Sequence, residues 1–136
     1  MEPSMRLNPL PCLLLPGALA LLAGCAHEST TLLVQEQDRC PLELDKGQTL
    51  VLTLPSNPTT GFRWVVKDAA PGVLRSLGPE VYNAPEDAGL VGGAGESTWR
   101  FSAAQPGDGR LLLVYQRPWE TDVAPEQTFD CPVHVE

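Results

Sequence analysis

Two histidines, four cysteines and seventeen carboxylates are the groups in this 136-residue chain that could do acid-base, nucleophilic or metal chemistry. A thiol or hydroxyl needs a base beside it to become a nucleophile, and a metal needs several close ligands. Neither condition is met: His27 lies in a short polar stretch and His134 in the last apolar run, neither within an acid-base or metal-ligand arrangement. The Gly-rich residues 89–95 lack the Lys and the following helix of a phosphate loop, which removes nucleotide binding. The expectation is a non-enzyme with no catalytic residue, metal or cofactor. The specific string that remains is "NPTTGFRW", residues 57–64, between two strand-like runs. In it Pro58 fixes its own φ and biases Asn57 to extended geometry, the Asn and Thr side chains can hydrogen-bond their own turn, and Gly61 permits a left-handed exit. Taken alone, such a string also suits an ordinary hairpin turn.

The elements that must hold this turn read as strands. Residues 31–37, 48–56, 62–68, 97–103, 109–119 and 128–136 are short runs rich in Val, Leu, Thr and aromatics, bounded by Gly, Pro, Asn or Asp. In the second run Leu50, Leu52 and Leu54 share one face while Val51 and Thr53 share the other, the period of a half-buried strand. Residues 69–95 add one or two strands, near 73–77 and 80–83, before a long Gly-rich loop. Fourteen prolines and twelve glycines, mostly between these runs, predict an all-β sandwich of seven to eight short strands. Trp64, Trp99 and Phe101 fall inside strands and are expected in the core; Phe62, at a strand edge, is open.

The first stretch, "PLPCLLLPGALALLAGC", is of signal-peptide length, and Pro11 and Pro16 interrupt it as a core helix. It closes on Leu22-Ala23-Gly24-Cys25, which resembles the bacterial lipobox, whose Cys is acylated and becomes the new N-terminus. Starting at Met1 or Met5 gives the same product. The expected organisation is therefore a signal peptide over 1–24, a lipid-anchored tether over 25–30 and one domain over 31–136. Ala26 after Cys25 resembles lipoproteins sent to the outer membrane. Cys12 leaves with the signal and Cys25 carries lipid, so Cys40 and Cys131 remain, paired in an oxidising compartment or present as two buried thiols. From Cys25 onward the chain holds sixteen acids and eight bases, and its charge stays at −8. No basic cluster exists to neutralise phosphates or grip anionic lipid, which excludes nucleic acid and leaves membrane attachment to Cys25.

Three inter-strand segments occur in an order that resembles the chagasin family of cysteine-protease inhibitors. They are "NPTTGF.W" (Asn57, Pro58, Thr59, Thr60 and Gly61, then Phe62 and Trp64), a Gly-rich loop before Trp99 (Gly92, Gly93, Ala94 and Gly95), and "RPW" (Arg117, Pro118 and Trp119). The resemblance covers roughly residues 42–135. The middle loop departs from the family's Gly-x-Gly-Gly by carrying Ala94. The resemblance implies an immunoglobulin-like β-sandwich, acting as a monomer, whose three loops enter the active-site cleft of a papain-like protease without being cleaved. It further implies that Thr59 and Thr60 approach the catalytic centre and that Trp119 anchors the contact. Arg117 has two readings of equal weight: a protease contact, or a brace that bonds carbonyls at the sandwich end. The reading from a different class is an adhesive envelope module that binds another exported protein through the same end.

Overall fold

The computed structural model describes residues 30–85 and 95–136, together with Gly17. The export segment, Cys25, His27 and the loop residues Gly92, Gly93 and Ala94 lie outside the described residues.

Among the described residues nine strands form two sheets: β1 Thr31–Val34, β2 Leu42–Leu44, β3 Thr49–Ser56, β4 Arg63–Ala69, β5 Leu74–Ser76, β6 Val81–Asn83, β7 Gly95–Ala103, β8 Gly107–Gln116 and β9 Gln127–Val135. One sheet runs β1-β3-β7-β5, with β6 also on β7, and the other runs β2-β9-β8-β4. Among the described residues there is no α-helix, and the expected immunoglobulin-like all-β sandwich is what the chain forms. Alternation explains the layering. Leu50, Leu52 and Leu54 of β3, Trp99, Phe101 and Ala103 of β7, Leu111, Leu113 and Tyr115 of β8, and Phe129, Cys131, Val133 and Val135 of β9 all point into one shared core. Trp64 and Trp99 meet there edge to face at 6.5 Å, and Phe101 lies with them as expected.

The strand count exceeds the expected seven to eight because β2 has three residues, too few to show a period. β1 also ends at Val34 instead of continuing to residue 37. Its chain leaves the first sheet through a single 3-10 turn at Gln37–Arg39 and joins the second as β2. The crossing is pinned to β9: the Gln37 amide donates to the Asp130 carbonyl at 2.6 Å and accepts from the Asp130 N–H at 2.7 Å. Three residues on, Cys40 is disulfide-bonded to Cys131, with Cα atoms 5.2 Å apart. Of the two states open to Cys40 and Cys131, the paired one is formed.

At the far end of the second sheet His134 hydrogen-bonds Asp108 at 2.7 Å, with Glu136 at 3.8 Å and Glu43 opposite on β2. The Asp108 bond, aided by the fields of Asp108, Glu136 and Glu43, raises the imidazole pKa above its ordinary 6.5. A raised folded-state pKa stabilises the fold fully below the unfolded value, and that stabilisation is lost as pH rises through the folded value. NMR titration should place the His134 midpoint above that of a free histidine. Asp108→Asn should lower the midpoint and flatten the decline in melting temperature from about pH 6.5 upward.

Candidate functional site

The strand register gathers the loops. Ser56 at the end of β3 pairs with Gly95 at the start of β7, and Arg63 at the start of β4 pairs with Gln116 at the end of β8. The segments 57–62 and 117–126, and the chain entering Gly95, therefore emerge at one end of the sandwich. Because β3 and β4 belong to different sheets, residues 57–62 cross between sheets and are not a hairpin turn.

Within that crossing Pro58–Thr60 make one 3-10 turn, closed by the side chains foreseen for it. The Asn57 side-chain carbonyl accepts from the Thr59 N–H at 3.2 Å and the Thr59 hydroxyl at 2.5 Å. The Thr60 hydroxyl donates to the Asn57 carbonyl at 2.7 Å. Gly61 leaves the turn at φ 81°, a left-handed conformation that favours glycine. Two bonds fasten the turn to the sandwich: the Asn57 N–H donates to the Tyr115 hydroxyl at 2.9 Å, and the Trp64 indole donates to the Pro55 carbonyl at 2.9 Å. Thr59 and Thr60 are exposed at the tip.

Arg117 ties the second loop to the first. Its Nε donates to the Thr60 carbonyl at 3.1 Å, Nη1 reaches Glu120 at 3.2 Å, and the guanidinium lies 4.5 Å over the Phe62 ring. Phe62 in turn stacks on Tyr115 at 5.3 Å. Of the two readings open for Arg117, the bracing one describes its geometry. Arg117→Met keeps the stem but loses both bonds. It should lower stability by about 1 kcal/mol in urea titration, the partial exposure of the pair limiting the loss, and speed amide exchange across 57–61.

Pro118 fixes the backbone ahead of Trp119, and Trp119 is 68% exposed. Its indole nevertheless lies against Gly61, where an added Cβ would collide with the ring. Gly61 is thus required twice, by its φ and by the indole. Gly95 is a buried residue of β7, where a side chain would strike the Asn83 carbonyl and the Tyr82 ring. Its need for glycine is one of packing.

At this end sequence reasoning missed Tyr115 and Val123, and left Phe62 open. Tyr115 carried a usable signal, an inward strand position near the strand end with a phenol long enough to reach a loop. Val123 carried another, a lone apolar residue in an acidic, Pro-containing segment, and it is 58% exposed. No three His, Cys, Asp or Glu among the described residues could hold a metal. The end of the sandwich can bind a surface through stiff backbone, two hydroxyls and an indole.

The chain is similar to known proteins. Residues 43–133 match the family described as "Chagasin family peptidase inhibitor I42". Amoebiasin-1 of Entamoeba histolytica is 32% identical over 105 residues, covering 76% of this chain and 98% of that protein. Chagasin of Trypanosoma cruzi is 31% identical over 78 residues, 54% of this chain and 68% of that protein. Among solved structures, the cysteine protease inhibitor EhICP2 from Entamoeba histolytica shares the fold with a TM-score of 0.67 at 19% identity, covering 78% of this chain and 96% of that one.

Proposed function

This chain belongs to the chagasin family of peptidase inhibitors, and from that membership we propose that it inhibits papain-like cysteine proteases reversibly, as a monomer, by laying its loop end across the active-site cleft. The observation that carries the mechanism is the bracing of two loops on one another before any partner arrives, through Arg117 to Thr60 and Trp119 on Gly61. An inhibitor that resists cleavage must offer backbone to the protease without a well-aligned scissile bond, and must lose little affinity to loop ordering. Here the ordering accompanies folding. Thr59 and Thr60 fill the space near the catalytic centre, Trp119 anchors the rim, and Asn57, Pro58, Gly61, Arg117 and Pro118 hold them. The family pattern adds Gly92, Gly93 and Ala94 as a third contact; Gly95, which the same pattern includes, is buried in β7.

The test is an inhibition assay of the acyl-free protein, Cys25→Ser, against papain and a cathepsin L-type enzyme. Competitive, uncleaved inhibition in the nanomolar range is expected, and Thr60→Lys should weaken it. No inhibition at micromolar concentration would overturn the reading. Exchanging 57–61 for a generic type I turn should abolish inhibition while leaving the sandwich folded, which separates inhibition from adhesion.

We also propose that Cys25 is acylated and holds the domain on the bacterial envelope, at the outer membrane. The Leu-Ala-Gly-Cys string supports this, as does the Cys40–Cys131 disulfide, which suits an exported chain. β1 runs parallel to β3, so the chain enters beside Thr49, at the end remote from the loops. A lipid at Cys25 would leave the loop end facing away from the membrane. Incorporation of labelled palmitate into the wild type, lost in Cys25→Ser, is the expected result.

A further inference from the structure

Two exposed apolar side chains, Trp119 and Val123, stand on the segment 117–126, and only the first belongs to the Arg-Pro-Trp string. Beyond Glu120 the chain runs Thr121-Asp122-Val123-Ala124-Pro125-Glu126, every residue of it exposed. The charges here are unequal. Arg117 is paired with Glu120, whereas Asp122 and Glu126 have no cationic partner among the described residues. Among the described residues Arg63 is the other cation at this end, and it lies on the outer face of β4.

Glu126 is held in place by its own N–H, which donates to the Tyr115 carbonyl at 2.9 Å. It borders two grooves that meet at Phe62. One, of about 350 Å³, is walled by Asn57, Thr60, Phe62 and Tyr115, and the other, of about 190 Å³, by Phe62, Arg117 and Val123. A carboxylate at the rim of grooves lined by two aromatic rings suits a long cationic side chain, whose methylenes follow the groove while its charge meets the acid. An anionic or purely apolar side chain gains nothing from Glu126.

Resting on the inhibitory reading above, we propose that Asp122, Val123 and Glu126 form a second contact that selects among papain-like proteases, favouring those with Lys or Arg on the cleft wall that faces this loop. Glu126 receives the basic side chain in the groove against Phe62 and Tyr115, Val123 covers apolar surface beside it, and Asp122 adds to the field that steers the encounter.

The test measures association and dissociation rates of the Cys25→Ser protein against two papain-like enzymes, one with basic and one with acidic side chains beside the cleft. Asp122→Asn/Glu126→Gln should slow association with the basic enzyme about tenfold at low salt and flatten its salt dependence, with little change against the acidic one. Glu126→Lys should reverse the preference, and Val123→Ala should raise the dissociation rate from the basic enzyme. These positions are exposed, so folding is expected to survive, as near-UV circular dichroism will verify. Parental rates in all variants, or equal changes against both enzymes, overturn the proposal alone. A wild type that inhibits neither enzyme overturns the inhibitory reading and this inference with it.

Discussion

Truncating Trp119 to alanine is expected to weaken inhibition of papain by about 30- to 1,000-fold, mainly through faster dissociation, without unfolding the sandwich. The indole is 68% exposed in the free protein, so the core loses nothing when it is removed. A partner covering that ring would bury a large apolar area already fixed in position, and interface hot spots favour such residues. Gly61→Ala tests the same contact from the other side. It puts a side chain at φ 81° and into the space of the Trp119 ring, which must move. Inhibition should fall with Trp119 still present, and the Trp119 fluorescence should report a more solvated indole. Trp119→Ala with parental affinity would show that the anchor lies elsewhere on the loop end.

Removing the Cys40–Cys131 disulfide is the largest change expected in stability. The bridge spans 91 residues, and a closed loop of that size stabilises by about 4 to 5 kcal/mol in the chain-entropy model. Cys40→Ala/Cys131→Ala, followed by urea titration beside the parent, should show most of that loss. The location of the loss is equally specific. Among the described strands β2 pairs only with β9, and the segment before it is otherwise tied down by Gln37 and Asp130. Amides over 36–44 should therefore exchange faster, while those over 57–61, braced from Tyr115 and Arg117, change little. At room temperature the variant should still inhibit. Loss of inhibition in a variant that remains folded would show that the bridge reaches the loop end.

Much of the architecture could be read from the chain because it rests on short-range rules. Alternation placed Leu50, Leu52 and Leu54 on one face, and the inward faces of β7 and β9 follow the same rule. β2 could not be read this way, since three residues carry no period and its pairing with β9 is a long-range event. The end of β1 was overrun for a related reason. Residues 35–37 continue a strand-like string, and what bends them away is Asp130, 93 positions from Gln37.

The candidate site divides along the same line. Local chemistry determined the turn at 57–61: Pro58, the Asn57 and Thr hydrogen bonds and the left-handed Gly61 are all consequences of residues a few positions apart. Whether that turn joined neighbours in one sheet or crossed between two was invisible, because the same bonds close either. Arg117 had two equal readings, and the Thr60 carbonyl that it braces, 57 residues away, is brought beside its guanidinium only by the fold. Gly61 was legible as a left-handed residue but not as the seat of Trp119. By itself the sequence determined the strand faces, the stiff turn and the resemblance to a family. Only the tertiary structure decided which loops brace one another, because that depends on contacts between residues the chain holds far apart and pairing in the sheets brings together.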